Sequence, residues 1–167
     1  MNFFNPAPAF AGLSFGEQLT LWALRVRRAA NASGDLAATK GDLILARAFG
    51  LIGAFGAERH LGEFLDLVEV TAERAIALGD PSSPSIEEDE LRLLAAVGAT
   101  QAGFDAESAD GLAYWLPPSG VRLAASPLKA YAEALKAQGV ALRRTYGVLA
   151  GPDRNVPMSM AKSRTLH

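Results

Sequence analysis

The chain contains no cysteine. That excludes a disulfide framework, thiol catalysis and every zinc site built on thiolate ligands. It agrees with a reducing compartment, and a cytoplasmic location is the expectation. Histidine is nearly as scarce, with only His60 and His167. Excess charge is also missing: 16 basic residues face 18 acidic ones, for a formal net charge of -2. Nucleic acid and anionic lipid attract proteins with a clear basic surplus, so neither is an expected partner. Long apolar runs are absent too. The most apolar stretch, Leu43 to Ala57, covers about 15 residues and holds Arg47, whereas a bilayer-crossing helix takes roughly 20. The opening MNFFNPAPAFAG lacks the basic residues and apolar core of a secretory leader. There is no Gly-x-Ser-x-Gly elbow, no P-loop and no strand followed by a dinucleotide-binding glycine turn. No repeat of 20 to 50 residues occurs.

The residues that are present describe a folding chain. A hydrophobic share of 50% with 20% charged residues over 167 positions supports one domain with a sizeable core. We expect an extended arm at residues 1–12, rich in proline and phenylalanine, a helical domain at 13–150, and a mobile tail at 151–167. The arm's Phe3, Phe4 or Phe10 would then dock on a neighbour. The fold class expected is all-α, a single-domain bundle of five to six helices with a central apolar helix.

Capping and periodicity predict the helices. Ser14-Phe15-Gly16-Glu17 forms a capping box, and Phe15, Leu19, Trp22 and Val26 line the first helix, widened by Leu21 and Leu24. A second helix follows Thr39 and Asp42. Its Leu43, Ile44, Leu45, Phe49, Leu51, Ile52 and Phe55 point nearly all round, which places it at the centre, while Ala46, Gly50, Gly53 and Ala57 offer one narrow side for close packing. A third helix spans Ala57 to Gly79, with a stripe of Leu61, Phe64, Leu65, Val68, Ala72, Ala75 and Ile76, and with Gly79 ending it in the left-handed conformation. Ser85-Ile86-Glu87-Glu88 reads as a second capping box for a fourth helix running to about Gln101. A fifth runs from Asp105 to Leu116 and stops at Pro117-Pro118. The series Val121, Ala124, Leu128, Tyr131 and Leu135 marks a last helix in which Pro127 is either a kink or a start, and Gly139 ends it.

The third helix supplies the candidate functional residues. Beside its core stripe and its acidic side runs a third strip of His60, Leu67, Val70, Thr71, Arg74 and Leu78, which neither core nor solubility explains. This is the expected contact face for a protein partner or a second copy of the chain, the composition being that of small alanine- and arginine-rich bacterial helical proteins. The alternative is a metal-dependent or small-ligand enzyme using His60 and Glu63, whose i, i+3 spacing offers an imidazole and a carboxylate to one ion. No further ligand accompanies the pair, so neither a metal nor a cofactor is expected. A phosphate-accepting histidine is a weaker alternative, because Arg59-His60-Leu61-Gly62 lacks the lysine and small residues that usually follow one. Arg25, Arg27 and Arg28 beside Trp22, extended by Arg143 and Arg144, are the one basic cluster. Arginines near a helix C-terminus also meet the negative end of its dipole, which accounts for the first three without any partner. Trp115 before the proline pair is expected in the core or at its rim.

Overall fold

In the computed structural model, residues 8–144 are described, and they form six α-helices without a strand. These are α1 (Phe15–Ala32), α2 (Asp35–Leu51), α3 (Ala57–Thr71), α4 (Glu88–Gln101), α5 (Asp105–Leu112) and α6 (Pro118–Ala137). The most extensive interfaces join α3 to α6, α4 to α5 and α1 to α2, and α1 also packs on α3 and α4. One continuous apolar core results, with Leu21, Leu24, Phe49, Phe64, Leu65, Leu94, Trp115, Tyr131 and Leu135 all but excluded from water.

The helix ends show why the chain turns where it does. Ser14 caps α1 as its sequence predicts: its Oγ accepts the Glu17 N–H, and the Glu17 carboxylate accepts the Ser14 N–H at 2.8 Å. α2, α4 and α6 each end in a Schellman motif. Gly53, Gly103 and Gly139 take positive φ there, and the next residue's N–H reaches back to a carbonyl of the last turn. The start of α4 differs from expectation. Its N-cap is Glu87 rather than Ser85, and Glu90 closes the turn by accepting the Glu87 N–H at 2.8 Å. Pro127 lies inside a single α6, which opens with Pro118 in its first turn. α5 ends at Leu112, four residues early, because the chain tightens into a turn that drives Trp115 into the core.

Three larger differences concern α1, α2 and α3. The buried side of α1 is centred on Leu21 and Leu24, and Phe15 is exposed, because Glu17, Thr20 and Arg25 are buried on that side as well. α2 begins four residues before the Thr39 signal, at Asp35, and sits at the flank of the bundle instead of its centre. It packs on α1 and α3, burying only Gly41, Leu45 and Phe49. The close approach to a neighbouring helix is at Gly41, where a Cβ would come within 2.6 Å of the Ala30 Cβ; on the expected side, Gly53 meets only the Gln138 side chain, 2.9 Å from where its Cβ would be. Finally, α3 stops at Thr71, and Ala72 to Gly79 continue as non-helical chain that bends at Glu73 and Arg74. The Glu73 N–H donates to the Trp115 carbonyl at 2.8 Å, diverting the backbone from the helical ladder. Gly79 has no positive φ; it is small because the Arg25 guanidinium lies 3.1 Å from where its Cβ would be.

At the two ends of the described chain, short segments lie on the bundle. Phe10 begins a one-turn 3-10 helix, packs against the core and gives its N–H to the Pro84 carbonyl, with Arg25 over its ring. Residues 140–144 cross between α1 and α4. Gly98 and Gly16 make room for them, since a Cβ at Gly98 would overlap the Arg143 carbonyl. The Gln101 amide holds the Leu142 N–H and the Val140 carbonyl, and Glu17 holds the Arg143 N–H and guanidinium. Phe3, Phe4 and the expected tail at 151–167 lie outside the described residues.

Candidate functional site

Because α3 ends early, the expected contact strip is divided. His60, Leu67, Val70 and Thr71 remain on the helix, whereas Arg74 and Leu78 lie in the non-helical segment after it. Val70 is 85% exposed, but Leu78 packs against the core, and the Thr71 hydroxyl donates to the Leu67 carbonyl at 2.7 Å. Arg74 stacks on the Tyr114 ring, its guanidinium carbon 4.5 Å from the centroid, and Arg92 approaches the same ring at 4.2 Å. Of the six residues, only Val70 and Arg74 are exposed, and the other four are half-buried. His60 Nδ1 stands 3.8 Å from the Glu63 carboxylate. No group of three histidine, cysteine, aspartate or glutamate side chains converges among the described residues.

The arginine cluster of α1 lies before the last turn, which holds no basic residue, so the helix dipole does not account for it; its side chains turn toward other elements instead. Arg25 is buried, and all five of its N–H groups have acceptors: both oxygens of the buried Glu90 at 2.7 Å, and the carbonyls of Asp80, Ser83 and Ser85. Glu90 also accepts the N–H groups of Gly79 and Glu87, so both members of the pair are fully coordinated. The ion pair thus fastens residues 79–87 to α1. Arg27 joins Asp42 to Asp66, bridging α2 and α3. Arg28 pairs with Glu69 at 2.9 Å and donates to the Ile76 carbonyl. Arg144 lies on the Phe104 ring and pairs with Glu107. Each of these side chains ties its own segment to another part of the bundle.

A cleft of about 540 Å3 opens between the C-terminal half of α1 and the non-helical segment after α3, with Arg28, Asn31, Glu69, Glu73, Arg74 and Ile76 among its lining. Its two arginines are already engaged, by Glu69 and by Tyr114. The buried polar pair of Thr20 and Tyr131, 2.8 Å apart, belongs to the core. Burial pushes the Tyr131 phenol above the usual tyrosine range, and the Thr20 hydrogen bond opposes that shift only in part. Phe49 meets the Tyr131 ring edge-on, at 5.9 Å between centroids. Neither place assembles a nucleophile with a base, or a set of converging ligands.

The outer face of α2 is different. Leu36, Leu43 and Leu51 are 71%, 67% and 81% exposed, Ile44 is 52% exposed, and Phe55 just beyond the helix is 81% exposed. At about 100° per residue the four aliphatic side chains fall within one stripe, opposite the buried Gly41, Leu45 and Phe49. Fully burying a side chain of this size stabilises by about 1.5–3 kcal/mol, so the stripe leaves on the order of 5 kcal/mol of burial unmade. Sequence periodicity registers such a helix as apolar on all sides but does not say whether the chain itself covers both.

No protein-family model, curated protein or solved structure matches the chain. The class that the geometry defines is a single-domain all-α bundle whose buried charges serve its own packing. No helix is long and apolar enough to cross a membrane among the described residues.

Proposed function

We propose that the protein acts through contact with another protein, and that the contact is made by the outer face of α2. The observation that carries this reading is the run of Leu36, Leu43, Ile44 and Leu51, each more than half exposed on one side of a helix whose opposite side is in the core. A helix face on which exposed aliphatic side chains flank Lys40 and Arg47, opposite a side already in the core, fits a surface that another molecule covers. The proposed contact thus lies on α2 and not on the strip expected on α3, of which Val70 and Arg74 are exposed to solvent. It requires no metal or cofactor.

Position-specific photocrosslinking in cells producing the full chain tests it. A photoreactive residue at position 43 is expected to give a discrete adduct that a polar substitution at Leu51 abolishes, while the same residue at position 123, exposed on α6, gives none. An adduct with the mass of two chains would identify the contact as self-association. Absence of any adduct from positions 36, 43 and 51 would overturn the proposal.

A further inference from the structure

We infer that the partner on α2 is an acidic amphipathic helix of another protein, bearing two carboxylates seven residues apart; this rests on the α2 contact proposed above. The inference comes from where the charges of α2 lie. At about 100° per residue, Lys40 and Arg47 fall in the middle of the apolar stripe, with Leu36 and Leu43 to one side and Ile44 and Leu51 to the other. Both are exposed, and neither makes an ion pair or hydrogen bond among the described residues. The acids of α2 are elsewhere: Asp35 lies in its first turn off the stripe, and Asp42 pairs with Arg27. Two basic side chains, about 10 Å apart along the axis at 1.5 Å per residue, therefore stand in the centre of a surface made for burial. Whatever covers that surface must bring negative charge to its own centre, since a buried cation without a partner is costly.

The other occupants fit this requirement less well. A second copy docking its own α2 antiparallel about the middle of the stripe sets Lys40 opposite Arg47, and a parallel arrangement sets each beside its own kind. Either places like charges at the centre of the contact. The chain's undescribed ends do not supply acids in the required number. Residues 145–167 carry Asp153 against Arg154, Lys162 and Arg164, and residues 1–7 carry no acidic side chain. A lipid surface is served by basic residues at the polar edges of an amphipathic helix, from which their stems reach the headgroups. Here they point into the region the acyl chains would occupy. A helix with leucine-like residues around two glutamates or aspartates meets both the apolar and the charged parts of the face.

The probe is a labelled three-heptad amphipathic peptide with leucines on one face and two glutamates, seven residues apart, at the centre of that face; its twin has lysines in their place. Anisotropy titration of the full protein is expected to show the glutamate peptide bound at least about tenfold more tightly than the twin, with the difference shrinking as salt rises. The K40E/R47E variant is expected to reverse the order. Equal binding of both peptides, lost in L43Q/L51Q, would overturn the acidic partner while leaving α2 as a contact surface. Binding of neither peptide also overturns it. So does sedimentation with vesicles of phosphatidylglycerol and phosphatidylcholine, or a dimer mass by ultracentrifugation that K40E/R47E leaves unchanged.

Discussion

Replacing Glu90 with alanine should be among the most damaging single changes in the bundle. The carboxylate accepts four hydrogen bonds, two from Arg25 and one each from the N–H groups of Gly79 and Glu87. Alanine removes the acceptor of all four donors and leaves the Arg25 guanidinium buried with only backbone carbonyls as hydrogen-bond partners. Removing one member of a buried ion pair costs about 3–5 kcal/mol. Domains of this size are stable by about 5–15 kcal/mol in all, so the loss is a large share. Urea unfolding followed by circular dichroism measures it, and the thermal midpoint should fall by roughly 10 °C. Amide exchange at Gly79 and Glu87 adds a local readout, because both N–H groups lose their acceptor. The double variant R25M/E90M removes the uncompensated charge but strands the carbonyls of Asp80, Ser83 and Ser85, so it should recover only part of the loss. A penalty below about 1 kcal/mol for E90A, with the Gly79 amide still protected, would refute the claim that this pair fastens the 79–87 segment.

Other changes probe separate parts of the fold. Gly98→Ala places a methyl group where the Arg143 carbonyl lies, and should cost about 1–3 kcal/mol and speed tryptic cleavage after Arg143. If cleavage is unchanged, the 140–144 segment does not depend on this approach. Tyr131→Phe loses the Thr20 hydrogen bond, at about 1 kcal/mol near neutral pH. It should also flatten the alkaline stability profile. Burial raises the folded-state pKa of Tyr131, so its contribution is complete below the unfolded value of about 10 and declines above it, by up to about 1.4 kcal/mol per pH unit. A variant whose stability falls as steeply as the wild type between pH 10 and 11 would contradict that assignment.

Much of the fold was legible because its signals are local. The Ser14–Glu17 box, the proline pair before α6 and Gly139 act within a few residues, and each stands where its chemistry predicts. What was not legible depends on partners distant in sequence. Glu17, Thr20 and Arg25 look like a solvated side of α1, yet all three are buried, because Arg143, Tyr131 and Glu90 arrive from 126, 111 and 65 residues away. The apolar stripe through Ala72, Ala75 and Ile76 continues the rhythm of α3, but Glu73 finds the Trp115 carbonyl instead of the next helical turn. The proposed contact face lies on α2 and not on α3 for a related reason. A helix apolar on all sides reads as central if the chain covers it all, and α2 is covered on one side only. His60 and Glu63 were brought together as their spacing predicts, at 3.8 Å, without a third ligand among the described residues.

If the outer face of α2 serves a contact and does not hold the bundle together, contact and stability respond separately to substitution there. One variant, L43Q/L51Q, whose glutamines are good helix formers, sets the two properties against each other. An unfolding free energy within about 1 kcal/mol of the wild type is expected, as for exposed positions generally, together with loss of the photocrosslink from position 36. Destabilisation by several kcal/mol, or a crosslink from position 36 that survives both substitutions, would contradict that expectation.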